Sequence, residues 1–116
     1  MILKWYHKGN LCTDIFVRNN TISITNYTDV NSDRAFGVIE NPTFDDLHFI
    51  LEEQVMDKGR LDLKHYLKDI GVDTYEPIAM IRKTRGKILG NFNEIEVIDE
   101  EEDPPFLLAY EDGEWL

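Results

Sequence analysis

The spacing of apolar positions changes character along the chain, and each change marks an element. Ile2 to Tyr6 is a short apolar and aromatic run that ends at the turn signal His7-Lys8-Gly9-Asn10. Cys12 to Arg18 continues with Ile15, Phe16 and Val17, then stops at Asn19-Asn20. Asparagine tolerates positive φ, so this pair predicts a two-residue hairpin turn. Thr21 to Tyr27 alternates with a period of two: Ile22 and Ile24 lie on one side, Thr21, Ser23 and Thr25 on the other. That is the pattern of a half-buried strand rich in β-branched residues. Residues 2–27 read as a three-stranded antiparallel meander.

The middle of the chain switches to a helical period. Thr43, with Asp46 three residues on, forms a capping box with Asp in place of Glu. Phe44, Leu47, Ile50, Leu51 and Val55 then share one helical face, and Lys58-Gly59 breaks the run. Leu63, Tyr66, Leu67 and Ile70 mark a second amphipathic helix, with Gly71 placed to stop it in the left-handed conformation. Pro77 suits the first turn of a third helix carrying Ile78, Met80 and Ile81, and Gly86 is placed to end it. Glu94 to Ile98 alternates again and predicts a strand returning to the sheet. The expected fold is α+β: an N-terminal antiparallel meander packed on three short helices, with a C-terminal strand, as a single domain over residues 1–98. Residues 99–116 form a separate acidic, aromatic segment.

With 42% hydrophobic and 11% aromatic residues the 116-residue chain can fill one core and is too apolar for wholesale disorder. The opening Met1-Ile2-Leu3-Lys4-Trp5-Tyr6 is too soon interrupted to be a signal-peptide core, and no apolar run approaches the roughly 20 residues that span a bilayer. A single cysteine, Cys12, leaves no internal disulfide and fits a reducing compartment. A cytoplasmic location with no membrane contact is the expectation.

Charge is distributed unevenly. Residues 1–87 carry 13 acids and 12 bases, whereas residues 88–116 carry 10 acids and no base. Direct binding to a nucleic-acid backbone is disfavoured, because that relies on Lys and Arg displacing counterions. A local basic patch remains open within residues 1–87. Arg82, Lys83, Arg85 and Lys87 cluster around the end of the third helix, where cations favour the dipole. The same stretch contains Gly86 and Gly90 and could hold an anion, although anions favour the opposite helix end.

No catalytic or metal signature stands out. His48 and Glu52 share a helix face at i, i+4, but no HExxH or CxxC spacing occurs, and no cofactor or metal is expected. Cys12 sits where an apolar strand residue would sit and reads as an inert buried thiol. Adjacent carboxylates such as Asp45/Asp46 and Glu52/Glu53 point to different sides of a helix and form no dyad. Asp33-Arg34-Ala35-Phe36-Gly37 reads as a loop with a buried Phe and a turn Gly. The last segment sets acids around Phe106, Tyr110 and Trp115. It reads either as a docking motif for a basic, hydrophobic groove or as a last strand, Phe106 to Tyr110, over the domain's own core.

Several blocks in fixed order resemble a small bacterial family associated with HipA-like Ser/Thr kinases, encoded beside them or fused to them. They are Asn26-Tyr27-Thr28-Asp29, Asp33 to Val38 with Glu40-Asn41-Pro42-Thr43, Tyr75-Glu76-Pro77, and Ile81 to Lys87. Together they span about two thirds of the chain, from Asn26 to Val97. The chain departs from the family at Val55–Arg60 and Ile88–Asn93, and its acidic tail is an addition. The resemblance implies a neighbourhood and not an activity, and the chain itself has no Gly-rich loop, His-Arg-Asp or Asp-Phe-Gly set.

Three functions follow as expectations. The first is a non-catalytic accessory or regulatory protein that binds a HipA-like kinase. Its partner-binding residues would be Asp33, Arg34 and Phe36 of the loop, Arg82, Lys83, Arg85 and Lys87 of the helix end, and Phe106, Tyr110 and Trp115 of the tail. The second is an acidic inhibitor or immunity protein of a mobile element that blocks a basic groove. The third is a small enzyme whose active site is dispersed along the sequence. A homodimer through strand edges or the tail is also open.

Overall fold

Two tight turns built on positive φ fold the first quarter of the chain into a meander. A computed structural model describes residues 1–100 and the backbone at 110–111 and 114–115. Strand β1 (Ile2–His7) meets β2 (Asn10–Arg18) through Lys8 and Gly9, at φ 49° and 80°. Strand β2 meets β3 (Thr21–Asn26) through Asn19 and Asn20, at φ 50° and 61°. Two consecutive left-handed residues match the right-handed twist of the flanking strands, which is why such turns close hairpins. The expected meander is present.

Strand β4 (Asn93–Ile98) returns antiparallel against β1, giving the sheet order β3-β2-β1-β4. Its ladder with β1 is regular, from Ile2 opposite Ile98 to His7 opposite Asn93. The β1–β2 ladder is not: Tyr6 faces Leu11, but Trp5 faces Thr13, so Cys12 is an extra residue in β2. Beyond this bulge, Leu3, Trp5, Thr13, Ile15 and Val17 share the face that also carries Ile95, and all are buried.

Helices α1 (Phe44–Glu53), α2 (Leu63–Ile70) and α3 (Pro77–Thr84) supply the other half of the core. Leu47, Leu51, Met80 and Ile81 are fully buried in one cluster with Leu3, Ile15, Val17 and Ile95. Each such side chain stabilises the fold by about 1.5–3 kcal/mol. The capping box of α1 is reciprocal: the Asp46 N–H donates to Thr43 Oγ1 at 3.2 Å, and the Thr43 N–H donates to Asp46 Oδ2 at 2.8 Å. Gly71 ends α2 at φ 80°. Pro77 opens α3.

The end of α3 comes one residue earlier than expected. Arg85, not Gly86, is the first left-handed residue, at φ 58°, and Gly86 follows at 67°. A side chain in that conformation costs roughly 1–2 kcal/mol. Three bonds offset the cost. The Arg85 N–H donates to the Ile81 carbonyl at 2.6 Å, its carbonyl accepts from the Ile95 N–H at 2.7 Å, and its guanidinium binds Glu94.

Of the expected strand Phe106–Tyr110, only Tyr110 is among the described residues. There β5 (Tyr110–Glu111) pairs antiparallel with β6 (Glu114–Trp115) in a two-stranded sheet of its own. Among the described residues no helix is long and apolar enough to cross a membrane.

Gly86 tests the account of the α3 end. A Cβ there would contact Gln54 and Ile95 at 3.4–3.5 Å while being held at positive φ. Gly86→Ala is expected to lower the unfolding free energy by about 1 kcal/mol or more. A urea midpoint identical to that of the parent protein would refute the requirement for glycine.

Candidate interaction surface

The basic cluster around the end of α3 is met by the acids that follow it. Arg82 makes a bidentate pair with Asp99, at 2.7 and 2.6 Å. Arg85 binds Glu94 at 2.7 Å and lies 3.8 Å from Glu96. Lys87 reaches Glu94 at 3.2 Å. Arg85 holds the Glu94 carboxyl below its usual range, and Arg82 does the same for Asp99. Three of the four cations in the cluster are thus engaged within the chain. Lys83 is exposed on α3 and lines a shallow depression of about 460 Å³ with Asp73, Glu76 and Arg82.

Glu100 ties the end of β4 to the far side of the meander. Its carboxylate accepts from Arg18 at 2.8–3.2 Å and from the Met1 ammonium at 2.8 Å. Arg18 chiefly, and then the ammonium, hold its pKa down at about 2.

The loop after β3 is fastened to the sheet. Buried Thr13 donates from Oγ1 to Asn26 Oδ1 at 2.9 Å and accepts from the Ala35 N–H at 3.1 Å. The Trp5 indole donates to the Asp33 carbonyl at 3.1 Å. The Asp33 carboxylate lies 3.4 Å from His7 Nε2, and His7 Nδ1 is 2.8 Å from Asn93 Oδ1. Arg34 donates to the Thr28 carbonyl at 2.6 Å and to Asn31 at 3.3 Å. Phe36 is buried in the core, and Gly37 turns the chain at φ 58°. Asp33, Arg34 and Phe36 therefore hold this loop in place, with Phe36 packed away from the surface. Of the helix-end cations, Arg85 and Lys87 meet at Glu94, and Arg82 pairs separately with Asp99. Phe106 lies outside the described residues, and the backbones of Tyr110 and Trp115 face each other across β5 and β6.

A polar group that sequence reasoning missed lies on the other face of the sheet. Asp14 is only 5% exposed. Lys4 Nζ reaches it at 3.0 Å, and the Tyr27 hydroxyl donates to it at 2.7 Å. These hydrogen bonds raise the pKa of both Lys4 and Tyr27. A buried carboxylate needs such partners to offset lost hydration. The available signal was Asp14 itself, a charge interrupting an apolar run. Its partner was hidden, because a regular hairpin closed at Lys8-Gly9 sets Lys4 opposite Thr13, and only the bulge moves it opposite Asp14.

Cys12 is a free buried thiol that donates to the Asn10 carbonyl. His48 Nε2 lies 3.0 Å from Glu52. Among the described residues, no three His, Cys, Asp or Glu side chains converge as metal ligands.

Two measurements check this electrostatic frame. Asp14→Ala should cost about 2 kcal/mol, the usual loss when a buried charged hydrogen-bond partner is removed, and Tyr27→Phe should cost less, because that ring is half exposed. Equal losses in chemical denaturation would contradict the ranking. For Glu100 the folded pKa lies below the ordinary 4.5, so its contribution is complete above pH 4.5 and disappears as pH falls toward about 2. Urea midpoints should decline over that window, and less steeply in Glu100→Gln. An unchanged slope in the variant would remove Glu100 from the account. Comparison with protein-family models, with curated proteins and with solved structures finds no match to this chain.

Proposed function

We propose that this protein is a non-catalytic accessory or regulatory module that binds another protein, and that the partner is a HipA-like kinase. The observation that carries the binding reading is how the charges are used. The acids Glu94, Glu96, Asp99 and Glu100 pair with cations of the body. Residues 101–116 add six further acids and no base, with Phe106, Tyr110 and Trp115 among them. Clustered carboxylates beside aromatic anchors suit a basic groove with apolar pockets. The kinase identity rests on the resemblance of the blocks between Asn26 and Val97.

The six acids of residues 101–116 also favour a second reading, an acidic inhibitor that occupies a basic groove of a different target. One experiment separates the two. Tagged full-length protein and a full-length variant with Glu101→Gln, Glu102→Gln and Asp103→Asn are mixed with a purified HipA-like kinase. Retention of the kinase by both supports the regulatory reading and puts contacts on the body or the aromatics. Retention by the parent alone, weakening with salt, supports it with the acids as contact. If neither retains the kinase, the kinase reading fails and the inhibitor reading takes its place.

A further inference from the structure

Strand β3 is one of the two edges of the four-stranded sheet. Two backbone hydrogen bonds determine which of its backbone groups face outward. The Val17 N–H donates to the Met1 carbonyl, so odd residues of β2 bond toward β1. The Tyr27 N–H donates to the Cys12 carbonyl, so odd residues of β3 bond toward β2. The N–H and C=O groups of Ile22 and Ile24 therefore point away from the sheet. Among the described residues no strand pairs with β3 on that side.

Natural edges are usually blunted by charge, proline or a bulge. Strand β3 has none of these. It lies inside the longest uncharged run of the chain, residues 19–28, in a protein of net charge −11. Its ladder with β2 is regular throughout. Its sequence is also symmetric: Thr21-Ile22-Ser23-Ile24-Thr25 reads the same in both directions.

We propose that β3 is a self-pairing edge, joining two copies of this chain antiparallel about a two-fold axis at Ser23 into one eight-stranded sheet. In this register Ile22 of each copy faces Ile24 of the other. Those are the residues whose backbone groups point outward, so the two pairs exchange four N–H···O bonds. The isoleucines, half-buried against the core in the single chain, gain apolar neighbours on the same face. Ser23 meets Ser23 and Thr21 meets Thr25 on the other face, in non-hydrogen-bonded pairs whose Cα atoms stand about 4.5 Å apart. Threonine pairs across strands are favourable, and no like charges are opposed. A two-residue slip in either direction sets an isoleucine against Asn20 or Asn26, so the symmetric register is preferred. The strip is much smaller than the roughly 1,600 Å² of a standard interface, which makes the dimer weak and concentration-dependent. This inference is independent of the kinase reading.

The test uses the full chain. Sedimentation velocity over a wide concentration range should show a monomer passing to a dimer. Ser23→Lys, on an exposed position, should keep the protein monomeric, because it sets two ammonium groups face to face. Cysteine capture fixes the register, since the facing Cα separation lies in disulfide range. Under mild oxidation Ser23→Cys should yield covalent dimer. Thr21→Cys or Thr25→Cys alone should not, while a mixture of those two should. The parent protein, whose Cys12 is buried, is the control. A monomer at every concentration, or Thr25→Cys linking to itself as readily as Ser23→Cys, would overturn the proposal.

Discussion

The extra residue in β2 governs the rest of the molecule. With Cys12 unpaired in the β1–β2 ladder, Lys4 stands opposite Asp14 and Leu3 opposite Ile15. A one-residue shift in a strand exchanges its two faces. Without the bulge Asp14 would point into the helices and Ile15 away from them. With it, Ile15 and Val17 enter the core, Thr13 turns inward to hold Asn26 and Ala35, and Asp14 moves to the opposite face. The bulge also keeps β3 in step, because β3 pairs with the shifted part of β2. One local irregularity thus assigns faces to three strands.

A second constraint is closure by the end of the described domain. Strand β4 joins β1, and the acids on and just after it reach three separate places: the end of α3, Arg18 beside the β2–β3 turn, and Met1. These pairs are partly exposed and individually weak. Their importance is in position. They hold Arg85 in a conformation that only glycine adopts freely, and they draw the cations of α3 into the fold.

By sequence, residues 88–116 are one acidic block and Arg82 to Lys87 a basic cluster beside it. In the folded protein Glu94, Glu96 and Asp99 of that block pair with Arg82, Arg85 and Lys87 of the cluster. Residues 1–100 still carry 17 acids to 12 bases, and residues 101–116 add six acids and no base. The β3 edge, by contrast, lies within residues 19–28, which carry no charge.

Much of the architecture was legible in the residues because its signals are local. The Asn19-Asn20 turn, the Thr43–Asp46 capping box, the Gly71 stop and the alternation of Thr21 to Asn26 depend on interactions within a few positions, which sequence displays directly. The buried Phe36 and Cys12 were also readable, since an apolar side chain between polar neighbours has few other places to go. The pairing of Lys4 with Asp14, of Arg18 with Glu100 and of Arg82 with Asp99 was not. Those partners lie 10, 82 and 17 positions apart, and they meet only once the β-bulge has set the register and β4 has closed the sheet. Local chemistry names the elements; which side chains face one another is a property of how the elements are stacked.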